Sequence, residues 1–141
     1  MIRPLTYLFF LLAAVSHPVV AEQGCPYPSA VRYVDGRFQA VTGTSFWQST
    51  KANGPGFVDR FVGALFTPDK GGERDNGHLD RCVYYTGSGQ VVALRYSMPD
   101  KTMSLTNSLH WELTADPLQQ KVYICQDSQP DNCAFTVDRP K

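Results

Sequence analysis

Residues 79–96 read LDRCVYYTGSGQVVALRY, and the fold turns on them. Two runs rich in Val, Tyr and Leu flank Gly87-Ser88-Gly89, whose glycines accept the positive φ that tight turns require. The stretch predicts a β-hairpin. Alternation on its first strand puts Leu79, Arg81, Val83 and Tyr85 on one face and Asp80, Cys82, Tyr84 and Thr86 on the other. On the second strand Val92, Leu94 and Tyr96 share a face, with Val91, Ala93 and Arg95 opposite. A cystine at Cys82 would pin this hairpin to another part of the chain.

Working outward, strand and turn signals recur. Val31–Tyr33 and Arg37–Val41 surround Asp35-Gly36, a hairpin turn signal, with Phe38 and Ala40 alternating against Arg37 and Gln39. Thr42–Thr50, around Phe46-Trp47, reads as a further strand, and Lys51–Gly56 as a loop. Phe57–Phe66 has apolar residues at helical spacing. Gly63 and the β-rich surroundings favour a strand from Arg60 to Thr67, with Gly63 marking a bulge or a close backbone approach. Pro68–Gly77 reads as an exposed loop and Met98–Lys101 as a turn. Met103–Leu105 and Leu109–Leu113 are short strands around Thr106-Asn107-Ser108. Asp116-Pro117 makes a turn, Gln120–Cys125 a strand and Cys133–Val137 the last one. Short strands at this rate indicate an all-β antiparallel meander, closed as a small barrel or folded as a two-layer sandwich.

The beginning of the chain reads as an address. Arg3, an apolar run from Leu5 to Val15, Pro18 and Ala21 have the order of a signal peptide, so residues 1–21 are expected to be removed, with cleavage after Ala21. Leu5–Val15 is shorter than the roughly 20 apolar residues a membrane span needs, so no membrane anchor is expected after cleavage. Glu22-Gln23-Gly24 before Cys25 does not resemble a lipid-attachment signal, which makes Cys25 a disulfide partner. Residues 22–141 would form a single exported β domain, periplasmic or secreted. Without Arg3, 12 Lys and Arg stand against 13 Asp and Glu. Near-neutral charge with no basic cluster argues against nucleic acid as a partner.

Four cysteines, 25, 82, 125 and 133, lie in that domain. An even number in an exported chain implies disulfides. Cys125 and Cys133 flank the turn-rich QDSQPDN between two apolar runs, so they are paired across the mouth of a hairpin, and Cys25 is paired with Cys82 by elimination. Loop entropy assigns about 2.6 kcal/mol to the short closure and about 4 to the long one. Zinc is the competing use of the thiols, but no pair has C-x₂₋₄-C spacing, and no metal or other cofactor is expected.

Three constellations invite chemistry. His110 and Glu112 share one side of a strand, as do His78 and Asp80; if the two pairs met they could hold a metal or act as acid and base, making a small periplasmic hydrolase. The alternative is that Trp111 faces the core while His110 and Glu112 face water. Ser88 lies between glycines in Thr86-Gly87-Ser88-Gly89-Gln90, which is no nucleophile elbow and reads as a turn. The aromatics, chiefly Trp47, Tyr84 and Tyr96, could stack on sugar rings or anchor a protein. Trp47, followed by Gln48, Ser49 and Thr50, is the aromatic expected to be exposed.

Cys25-Pro26-x-Pro28, Gly36-x-Phe38-x-Ala40, Trp47, Phe61-x-x-Ala64, Cys82-x-Tyr84, Leu94-x-Tyr96, Trp111 and Cys125…Cys133-x-Phe135 together resemble a family of short exported bacterial proteins known only as a domain of unknown function. The resemblance implies a periplasmic or secreted bacterial protein and carries no catalytic residue. The chain is also similar, at the level of fold, to small periplasmic lysozyme inhibitors, which are exported disulfide-bonded β-barrels. Ser88-Gly89 is the shared fragment of their inhibitory loop, with Tyr96 following at a greater distance. The reading from sequence is a non-enzymatic exported binding protein, its partner another protein or cell-wall glycan.

Overall fold

The computed structural model describes residues 22–43, 45–52, 56–70, 73–97, 102–105, 110–115 and 117–137. The signal-peptide expectation for residues 1–21, the turn at 98–101, the 106–108 connection and Asp116 lie outside them. The described chain is all-β. Its strands are β1 (Glu22–Gln23), β2 (Arg32–Val34), β3 (Arg37–Thr42), β4 (Ser45–Gln48), β5 (Val58–Pro68), β6 (Gly77–Thr86), β7 (Val91–Tyr96), β8 (Met103–Ser104), β9 (Trp111–Ala115), β10 (Lys121–Gln126) and β11 (Phe135–Val137). Short 3-10 turns occupy Pro28–Ala30 and Pro130–Cys133. Among the described residues no helix is long and apolar enough to cross a membrane.

All pairings are antiparallel. The order along the sheet is β9-β10-β5-β6-β7-β4-β3-β2, with β8, β11 and β1 branching from β6. The sheet does not close into a barrel. A simple meander is also corrected, because β10 returns to β5, and β4 meets β7 rather than β5.

The 79–96 hairpin forms as the sequence predicts, but its facing changes part-way. Leu65 stands opposite Arg81 and Phe66 opposite Leu79, so Asp80 is an extra residue in β6. This bulge shifts the parity: Leu79 is buried together with Cys82, Tyr84 and Thr86, not on the face of Arg81, Val83 and Tyr85. On β7, Val92, Leu94 and Tyr96 are buried as expected. The loop closes through Thr86, which accepts from Gly89 N–H, while Thr86 N–H donates to Gln90; Gly89 takes φ 87°. At the other hairpin Asp35 and Gly36 have φ 50° and 82°, the pair of positive values a two-residue turn of this hand needs.

β5 is the strand that the Phe57–Phe66 reading favoured. A Cβ on Gly63 would lie 2.4 Å from the Cys125 carbonyl oxygen, so only glycine lets β10 pair there. The core is one cluster in which edge-to-face aromatic pairs link residues of different strands. Trp47 meets Tyr96 and Phe135 at 5.1 and 6.1 Å, and Phe66 meets Trp111 and Tyr123 at 6.3 and 6.2 Å.

Both cystines form as paired from sequence. Cys82 and Tyr84, two residues apart on β6, together hold the segment before β2. Cys82 is bonded to Cys25, and the Tyr84 hydroxyl donates to the Pro26 carbonyl at 2.6 Å. The hairpin expected between Cys125 and Cys133 is corrected. β10 pairs with β5 and β9, while β11 pairs with β8 and β1. The short cystine instead closes a loop containing the second 3-10 turn, and Trp111 Nε1–H donates to Ala134 O at 3.0 Å to hold the exit.

Candidate functional site

The aromatic residues expected to bind are core residues. Trp47 and Tyr84 are 0% exposed and Tyr96 9%. Trp47 lies between β3 and β7 and donates through Nε1 to Thr42 Oγ1 at 3.1 Å; its polar neighbours Gln48 and Thr50 point the other way. No ring face of the three is left for a sugar, and the expectation of an exposed Trp47 is corrected.

The His and carboxylate pairs do not meet. His78 Nε2 lies 3.1 Å from Asp69 Oδ1, and His110 Nδ1 lies 3.5 Å from Asp127 Oδ2. Asp80, displaced by the bulge, takes Arg81 Nε at 3.0 Å rather than His78. Trp111 is buried while His110 and Glu112 are exposed. Asp127 organises its own loop. The Gln129 N–H at 2.8 Å, then Asn132 Nδ2 at 3.1 Å, with a smaller contribution from His110, hold its carboxyl below the ordinary carboxylate range. Among the described residues no three His, Cys, Asp or Glu side chains group closely enough to hold a metal ion. Ser88 is the turn residue expected, its hydroxyl 3.0 Å from Thr86 Oγ1.

What the fold does assemble is a cationic row. Arg32 stands opposite Gln39, Gln39 opposite Gln48, and Gln48 opposite Arg95. One step beyond the Cys82–Leu94 pair, the hairpin register sets Arg81 against Arg95. Cys82 and Leu94 are buried, so Arg81 and Arg95 project from the outer face. Like charges in facing positions repel, and only Arg81 has a carboxylate, Asp80, among the described ion pairs.

Beside this row a cleft of about 480 Å³ opens between β7 and residues 49–52, and Lys51, Arg81 and Arg95 line it. Its origin is local. The Ser49 N–H donates to Phe38 O, Ser49 Oγ accepts from the Phe38 N–H, and Ala52 N–H donates to Gly36 O. These bonds carry 49–52 with β3, so after Gln48 the chain parts from β7. Arg95 also borders two neighbouring concavities, one shared with Arg37 and one with His78. In physical terms the cleft can attract and orient an anionic group without proton transfer.

Sequence reading missed this site because its cations come from separate segments, β2, the 49–52 segment, β6 and β7. The signal was present in the hairpin. A loop centred on Ser88 places residues 81 and 95 opposite one another, and alternation set Arg81 on the face away from Cys82 and Arg95 on the face away from Leu94.

A family model described as "Protein of unknown function (DUF3757)" matches residues 20–136. The chain belongs to that family. The match spans both cystines, every described strand except the last residue of β11, and the cationic cleft. No curated protein and no solved structure matches the chain. Family membership bears out the resemblance to a domain of unknown function and adds no activity to it.

Proposed function

We propose that this family member is an exported, cystine-locked binding protein that acts through its surface on an anionic partner. The observation that carries the reading is the cleft beside β7, where Lys51, Arg81 and Arg95 converge while the His–carboxylate pairs stay apart. Two buried cystines suit a chain that folds in an oxidising compartment. Removal of residues 1–21 and delivery to the periplasm or the exterior complete the reading.

The test uses the oxidised protein on an immobilised polyanion such as heparin. A chain of near-zero net charge would pass through unless its cations are concentrated on one face. We expect retention that falls with salt, and elution at clearly lower salt for the Arg81→Ala/Arg95→Ala variant. Unchanged elution of the variant, or turnover of peptidoglycan by the purified protein, would overturn the proposal. Mass spectrometry of the exported protein should find a chain beginning at Glu22.

A further inference from the structure

We propose that the cleft receives an extended acidic peptide, which joins the sheet as an additional strand along β7. The proposal rests on the anionic-partner reading above and narrows it to a polypeptide.

The argument begins with backbone parity. The Thr86 N–H donates to Gln90 O at 2.8 Å on the β6 side, and Ser97 N–H donates to Phe46 O at 2.9 Å on the β4 side. Successive residues of an antiparallel strand send their N–H and C=O groups to alternate edges. Val92 and Leu94 therefore bond to β6, and Val91, Ala93 and Arg95 face β4. The pairing with β4 ends at Arg95, since residues 49–52 follow β3. The N–H and C=O groups of Val91 and Ala93 consequently point into the cleft, with no strand opposite them among the described residues.

Side chains supply the second half of the recognition. Val91, Ala93 and Arg95 share the outer face of β7. A guest residue opposite Ala93, with its side chain on that face, stands beside Arg95. Lys51 lies on the facing wall and Arg81 one strand away. A carboxylate there meets Arg95 and Lys51, neither of which has an acidic partner among the described residues. The row's amides, Gln39 and Gln48, bond to each other at 3.5 Å and add no competing charge. A phosphate or sulfated glycan would engage the cations alone. An extended acidic peptide engages both the cations and the open strand edge, which is the mode of binding by strand addition.

The test titrates a fluorescent peptide alternating Glu and Val into the oxidised full chain and reads anisotropy. Matched probes replace Glu by Lys, or N-methylate alternate backbone amides of each parity in turn, and soluble heparin serves as a polyanion without amides. We expect saturable binding of the acidic peptide, none of the Lys peptide, and weakening by about tenfold or more when one parity is N-methylated. Slowed hydrogen exchange at Val91 and Ala93 should accompany binding. The Arg81→Glu/Arg95→Glu variant, with folding checked by near-ultraviolet dichroism, should prefer the Lys peptide. If both N-methylated peptides bind as well as the parent, or heparin binds and no peptide does, strand addition is overturned and the anionic-partner reading survives. If no anionic probe binds and polyanion elution ignores the arginines, both fall.

Discussion

β6 is paired with β5 from Gly77 to Thr86, whereas β7 meets β4 at two positions only, Trp47 with Tyr96 and Gln48 with Arg95. Along the first boundary, register shifts at Asp59, Val62 and Asp80 let two long strands stay paired while bending. Cys82 and Tyr84 fasten the Cys25-Pro26 segment across the same region. Along the second, the Ser49 bonds take the chain away, and among the described residues no strand pairs with β7 beyond Arg95 on that side. The contrast teaches where rigidity and availability lie in one sheet. Continuity is built where the staple sits, and where it does not, the backbone groups of Val91 and Ala93 have no strand opposite them among the described residues. Natural sheets guard such edges with charge, and here Lys51, Arg81 and Arg95 line the cleft beside β7.

The largest test of this contrast removes the staple. The Cys25→Ala/Cys82→Ala variant should lose about 4 kcal/mol of stability in urea unfolding, as expected for a loop this long. A loss below about 1 kcal/mol would mean that the paired strands hold the region unaided. Next comes a pair of small-to-larger changes. Gly63→Ala should cost about 1–3 kcal/mol, because its new carbon collides with the Cys125 carbonyl. Ala93→Val, on the open edge, should stay within about 0.5 kcal/mol. Equal effects would erase the distinction between the two boundaries. The smallest test is alkaline. Burial pushes the Tyr84 phenol well above its ordinary value. The stability this contributes is complete below about pH 10, where an unfolded tyrosine begins to ionise, and is lost as the pH rises beyond it. Tyr84→Phe should cost about 1 kcal/mol at neutral pH through the unpaired Pro26 carbonyl, and should flatten the alkaline loss. An identical alkaline slope in the variant would place the sensitivity elsewhere.

Much of this body was legible in the chain. The Gly87–Gly89 hairpin, the Asp35-Gly36 turn and the glycine needed at position 63 follow from local chemistry, the cystine pairings from spacing and elimination, and each is present. Features that depend on neighbours brought from afar were not. Leu79 changes face because a bulge, invisible to strict alternation, sits at Asp80. Trp47 is buried because β7 and Phe135 close over it, although its sequence neighbours are polar. The strands around Cys125 and Cys133 find partners in β5, β9, β8 and β1 instead of each other. The cationic row escaped a charge-run reading for the same reason: its members become neighbours only through register.

The pairing of β1 with β11 sets Glu22 opposite Thr136. The two extremities of the described chain are therefore stitched side by side, and a short peptide could join them covalently. Cutting the resulting ring at the Gly87–Gly89 loop would give a circular permutant with the same cystines and the same sheet. Such a molecule would carry a fusion or a surface tether at that loop, leaving residues 22 and 136 as an ordinary interior connection.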